Sequence, residues 1–149
     1  MLHAKPWTVT QARNDKQIFM QKYSKMVLNH FTKPHNQGKM KNPDSIGTVG
    51  NPKCGDIMRM YIKVSKNKAG QEVIKDVKFE TLGCGAAIAT SSMATDLAKG
   101  KTIDEVLKIS NKIVAYKLGG LPTIKMHCSN LAADALHEAI KNYREAQEK

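Results

Sequence analysis

Asp56-Ile57-Met58-Arg59-Met60-Tyr61-Ile62-Lys63-Val64 decides the fold. Met58, Met60, Ile62 and Val64 fall on one face at the period of two that a strand imposes, and Arg59 and Lys63 fall on the other. A strand is expected over 57–64. Lys66-Asn67-Lys68-Ala69-Gly70 then reads as a turn, and a second strand is expected over 73–81. Val73, Val77 and Phe79 should point inward there, and Asp76, Lys78 and Glu80 outward. A connection this short makes the two strands antiparallel neighbours.

Working outward, Leu82-Gly83-Cys84-Gly85 is a sharp turn from strand into helix. The helix that follows, from Ala86 to about Ala98, is rich in Ala, Ser and Thr and can lie close against a sheet; Gly100 caps its end. Thr102-Ile103-Asp104-Glu105 is a capping-box pattern for another helix, with Ile103, Val106 and Leu107 expected to be buried. A short helical piece is expected from Asn111 to Tyr116, and Gly119-Gly120 breaks the chain. The last helix is expected from Ser129 to about Glu145, with an apolar stripe of Ala132, Ala135, Leu136, Ala139, Ile140 and Tyr143. Upstream, a helix is expected from Asn14 or Asp15 to Phe31, with Asn14 as its cap, ended by Pro34. A short edge strand is expected near Ile46–Val49. Strands in a block with helices around them argue an α+β fold: a small antiparallel sheet of about three strands, covered by helices, with a long C-terminal helix.

The chain has 149 residues, enough for one domain with its own core. No apolar run approaches the roughly 18 residues that cross a bilayer, so no membrane association is expected. Three cysteines are too few for a disulfide framework and point to a reducing compartment, the cytoplasm or a mitochondrial-type matrix. A formal charge of +11 raises the question of nucleic acid, but the lysines are scattered and aromatics are only 5%. Stacking platforms for bases are therefore scarce. Solvated basic faces, or an acidic protein partner, account for the charge better.

The chemistry lies in the thiols. Cys54 precedes the first strand of the hairpin, Cys84 sits at its exit, and Cys128 stands at a helix start. The start of one hairpin strand lies beside the end of the other, so Cys54 and Cys84 should be neighbours. Cys84 and Cys128 at helix N-termini, with Lys125 nearby, favour thiolate over thiol. Zinc and a [2Fe–2S] cluster each want four ligands, mainly thiolate. Asp56 and His127 are the two candidates for the fourth position. Adjacent helical residues diverge by about 100°, so His127 and Cys128 do not readily share one ion. Asp56 is favoured, with His127 as the alternative or as a close supporting group. A hard carboxylate among thiolates would make the site labile. His3, His30, His35 and His137 have no ligand context in the sequence and read as structural or surface residues.

Three motifs together resemble the IscU/NifU-type iron–sulfur cluster assembly scaffolds: Gly50-Asn51-Pro52-Lys53-Cys54-Gly55-Asp56, Thr81 to Ser92 around Cys84, and Leu121-Pro122-Thr123-Ile124-Lys125-Met126-His127-Cys128-Ser129. Tyr23 to Asn36 is similar to that family's first helix and loop, and the likeness runs to about Tyr143. It divides the chain into an N-terminal extension, 1–22, and a scaffold domain, 23–146. The resemblance implies a non-catalytic scaffold. A cysteine desulfurase hands sulfur to a scaffold cysteine, iron joins, and a [2Fe–2S] cluster is built and passed to acceptor proteins. It implies Cys54, Cys84 and Cys128 as ligands, with Asp56 and His127 at the site. Cys128 is the expected first sulfur acceptor, because His127 and Lys125 flank it. A homodimer is one assembly open to such a protein. A DnaK-type chaperone and its J-protein are further partners of the family, whose loop is commonly Leu-Pro-Pro-Val-Lys; Thr123-Ile124 stands here in place of Pro-Val. The competing expectations are a zinc-bound sulfur relay of the same fold, SufU-like, and a basic nucleic-acid-binding module.

Overall fold

The structure, a computed structural model, describes residues 24–51, 56–82, 85–120 and 126–148; the side chains of 51, 56 and 126–130 lie outside that description. Among the described residues, five helices and three strands follow in the order α1 (Lys25–Thr32), β1 (Ser45–Asn51), β2 (Asp56–Lys66), β3 (Glu72–Leu82), α2 (Gly85–Ala98), α3 (Ile103–Leu107), α4 (Asn111–Lys117) and α5 (Met126–Glu148). The sheet is antiparallel with β2 in the centre. This is the α+β arrangement expected from the hairpin.

One face of the sheet is dry. Met58, Met60 and Ile62 of β2 and Val77 and Phe79 of β3 are fully buried, and Met60 lies opposite Phe79 and Ile62 opposite Val77. α2 and α5 cover them. α2 is buried almost all round, because its residues are small. Two of its buried hydroxyls bond back to their own helix: Ser91 Oγ donates to Ala87 O at 2.7 Å and Thr95 Oγ1 to Ser92 O at 2.7 Å. The free edge of β3 is also covered. Gly38 N–H donates to Phe79 O at 2.8 Å, Phe79 N–H to Asn36 O at 2.9 Å, and Ile74 N–H to Lys101 O at 2.8 Å.

Four details differ from expectation. The helix expected from Asn14 or Asp15 to Phe31 does not pass through Ser24, which is extended (φ −68°, ψ 163°) and caps α1 by accepting from Val27 N–H. Its expected start at Asn14 lies outside the described residues. In β3, Ile74 rather than Val73 is buried, because the register slips by one residue between Lys63 and Val64. A bulge moves the following side chains to the opposite face. Leu107 is 36% exposed rather than core, because α3 ends there after a single turn and a half. The last helix begins at Met126, three residues before Ser129, so His127 and Cys128 belong to its first turn. The capping box at Thr102 and Glu105 forms as read, and Gly100 takes the left-handed φ of +83° that its position demands.

Candidate functional site

The sheet has two ends, and β1 stops, β2 starts and β3 stops at the same one. Asn51 is the register partner of Asp56, and Ile57 of Leu82. The last residue of β1, the first of β2 and the last of β3 therefore lie side by side. α2 begins at Gly85, directly after β3.

α5 extends toward the same end. Ser45 Oγ donates to Ala139 O at 2.7 Å and Asn142 Nδ2 to Ile46 O at 2.9 Å. A Cβ placed on Gly47 would stand 2.3 Å from Ala135 O and Ala139 N. The far part of α5 meets the start of β3, the sheet end away from Asn51, so α5 runs antiparallel to β1. Tyr143, near the helix's far end, hydrogen-bonds Glu72 at the start of β3, which with burial pushes its phenol up to about 12. About 13 Å of strand separates Gly47 from Asn51. About 14 Å of helix separates His137, level with Gly47, from the backbone of residue 128. By length alone, the start of α5 extends toward the end of the sheet that holds Asn51, Asp56 and Leu82.

Cys54, Cys84 and Lys125 lie outside the described residues. Asp56 is placed by its backbone as the first residue of β2, and His127 and Cys128 as the second and third of α5; their side chains too lie outside the description. The pieces of chain that carry Cys54 and Cys84 are joined to element ends that the fold gathers. On the outer face of the same end, Ile57 is 45% and Leu82 71% exposed. They line a shallow depression of about 400 Å³ with Lys39, Arg59, Glu80 and Thr81. Tyr61 crosses this face and bonds Glu80. The Arg59 guanidinium, held above its ordinary value chiefly by its hydrogen bond with Tyr61, borders these two exposed apolar side chains.

A second group of donors escaped the sequence reading. His30 is buried on α1, His35 follows Pro34, and Asp96 lies on α2. His30 Nδ1 is 2.6 Å from Ser92 Oγ, which also accepts from His35 N–H at 2.8 Å. His35 Nδ1 and Asp96 Oδ2 are 2.5 Å apart, and the two imidazole rings lie 4.7 Å apart by centroid. Nothing along the sequence joins position 96 to positions 30 and 35. Only the packing of α1 on α2 does.

Comparison with known proteins agrees with the geometry. Residues 22–149 match the family described as NifU-like N terminal domain. Among similar proteins, "Iron-sulfur cluster assembly scaffold protein IscU 1" of Archaeoglobus fulgidus is 61% identical over 121 residues, 81% of this chain and 76% of the relative. "Iron-sulfur cluster assembly scaffold protein IscU" of Aquifex aeolicus is 47% identical over 121 residues, 81% of this chain and 75% of the relative. Among solved structures, a nitrogen-fixing NifU-like protein (N-terminal) from Brucella abortus has the same fold, with a TM-score of 0.64 at 20% identity over 86% of this chain and 98% of that one. The likeness first seen in three short cysteine motifs therefore extends over most of the sequence, and the chain belongs to the NifU-like N-terminal domain family.

Proposed function

We propose that this chain is a scaffold on which iron–sulfur clusters are assembled. Sulfur and iron are its cargo rather than resident cofactors. The observation that carries the reading is the gathering of the end of β1, the start of β2 and the end of β3 at one end of the sheet, with Cys54 and Cys84 close in sequence to those ends and Cys128 in the first turn of α5, which packs on β1. The names of relatives as similar as 61% support it. No described helix is long and apolar enough to cross a membrane.

The donor set suits the cargo. Cys54, Cys84 and Cys128 supply three thiolates, and Asp56 or His127 completes a set of four. Start-of-helix dipoles lower the cost of holding anionic sulfur. A cluster held by three thiolates and one harder ligand is easier to release than one held by four, as a carrier requires. The first step is transfer from a cysteine desulfurase. The Cys128 thiolate attacks the outer sulfur of the donor's persulfide, the donor's S–S bond breaks, and its thiolate leaves. Cys128 then carries the sulfane sulfur, and a reductant supplies the two electrons that turn it into the sulfide of a [2Fe–2S] unit. The chain itself turns over no substrate. Acceptor proteins receive the finished cluster.

Anaerobic reconstitution with iron, sulfide and a desulfurase tests this. Visible sulfur-to-iron absorption, lost when any of the three cysteines becomes serine, is the expected result. A colourless protein that retains only zinc while relaying sulfur would replace the reading with the zinc-relay one. Cys128→Ser should stop persulfide formation on the chain. Transfer to that variant at the normal rate would move the acceptor role to another cysteine.

A further inference from the structure

We propose that His30, His35 and Asp96 form a second metal site, for a divalent first-row ion of the Zn²⁺ or Fe²⁺ class, where α1 and the loop after it meet α2. It does not depend on the scaffold reading. Ser92 and Asp96 lie seven and eleven residues along α2 from Gly85, about 10 and 16 Å away from the cysteine-bearing end.

Three arguments carry it. The first is ligand chemistry. Two imidazoles and one carboxylate form a donor set that suits Zn²⁺ and is equally the facial triad of ferrous iron. Among the described residues this is the one group of three such donors in which every ligand atom lies within 4.8 Å of the others. Tetrahedral ligation at 2.0–2.1 Å needs ligand atoms roughly 3.4 Å apart. Small side-chain rotations of His35 and Asp96 cover the difference, since these side chains are 54% and 36% exposed. That exposure also gives the ion its route in and leaves its remaining positions to water.

The second argument is preorganisation. Ser92 Oγ holds His30 by its ring nitrogen and His35 by its backbone N–H. Asn36 Nδ2 donates to Thr95 Oγ1 at 3.0 Å and to Asp96 Oδ1 at 3.1 Å, which fixes the carboxylate against the loop. Metal sites depend on such supporting hydrogen bonds to orient their ligands. The loop is in turn anchored to Phe79 of β3 through backbone bonds on both sides.

The third is arrangement. An exposed His–Asp ion pair needs no buried partner. Here the pair stands over a buried imidazole whose ring is tilted 56° to that of His35 at contact distance. Two imidazoles and a carboxylate converging from three separate segments is more than an ion pair uses.

The test employs the full chain, freed of metal and with its cysteines blocked by iodoacetamide, titrated with Zn²⁺ and, anaerobically, with Fe²⁺. The expected result is saturable binding of one ion per chain, weakened at least ~10-fold by His35→Ala and by Asp96→Asn. Zn²⁺ should move the imidazole ¹⁵N resonances of His30 and His35 and leave those of His3 and His137 in place. The two arms say which ion the site prefers. Absence of binding to the blocked chain, or binding that both substitutions leave unchanged, overturns the proposal and reduces the trio to an ion pair beside a core histidine. Should blocking unfold the chain, the resonances of the unmodified protein decide. A second equivalent of Zn²⁺ must then shift His30 and His35, and failure to do so is equally decisive. Cluster assembly on the unblocked chain is read separately, so either proposal can fail alone.

Discussion

Two of the contacts that position the helices are built on opposite principles. β1 meets α5 with almost nothing between them: Gly47 faces the backbone of Ala135 and Ala139. α1 and its loop meet α2 through polar atoms: His30, Ser92, His35, Asn36 and Asp96. The first contact is tight because side chains are missing and is finished by two hydrogen bonds, from Ser45 and Asn142. It fixes where the first turn of α5 stands, and so where Cys128 can be. The second keeps polar groups beside the core at the cost of desolvating them, and leaves donor atoms turned toward water. A contact made of absent side chains can only position; a contact made of polar ones can also bind.

The sharpest way to break this comparison is Gly47→Val. Its Cβ would fall 2.3 Å from backbone atoms that cannot rotate away. The helix must lift, which costs about 3 kcal/mol or more. Thermal unfolding should come roughly 6–12 °C earlier. Cluster yield in reconstitution should fall further than stability alone explains, because the start of α5 shifts relative to the sheet end that holds Asp56 and Leu82. A variant that melts early but assembles clusters in full would detach the site from this contact.

Ser92→Ala strikes the polar contact. It removes the partner of His30 Nδ1 and of the His35 N–H in one step. Leaving buried polar groups unmet costs about 2 kcal/mol, a loss that denaturant unfolding would register. Cluster assembly should survive, since the cysteine-bearing end is untouched. Equal damage to assembly from Ser92→Ala and from Gly47→Val would erase the distinction between the two contacts.

These two sites also show what the sequence could disclose. Strict alternation over Met58, Met60 and Ile62 gave away β2, because a strand's period is written in its own residues. The slip that buries Ile74 instead of Val73 was hidden, since a bulge depends on how two strands pair. The Ser24 cap was masked by apolar spacing that continues upstream of it. The cysteine motifs disclosed the family, and the hairpin brings the start of β2 beside the end of β3 as expected, while Cys54 and Cys84, expected to be neighbours there, lie outside the described residues. The His30–His35–Asp96 group could not be seen beforehand, because a helix and a loop from one part of the chain meet a helix some 60 positions later.

A smaller effect follows from protons. Burial lowers the pKa of His30, the charge on His35 lowers it further, and Asp96 opposes both. The unfolded imidazole gains its proton near its ordinary pKa of 6.5, and the folded one only below that. Unfolding therefore takes up a proton in this window, and stability present above pH 6.5 is lost as pH falls toward the folded value. With chelator present, the melting temperature should drop by a few degrees from pH 7 to about 5.5. The drop should be shallower in His30→Gln. A steeper slope in that variant would mean that His30 is not the group responsible.

The smallest effect is expected at Gly85, and it isolates what makes Gly47 special. Both glycines are crowded: a Cβ on Gly85 would stand 3.0 Å from Phe31 Cε2. There the neighbour is a ring at the rim of α1, itself 38% exposed, and not a helix backbone. A shift of a few tenths of an ångström relieves the contact. Gly85 opens α2, where alanine is the better helix former by up to about 1 kcal/mol. The two effects oppose each other, so Gly85→Ala should change stability by less than about 0.5 kcal/mol, with chemical denaturation as the measure. A loss as large as that of Gly47→Val would mean that the ring is as fixed as backbone, and that α1 is clamped to α2 from both sides of the polar contact.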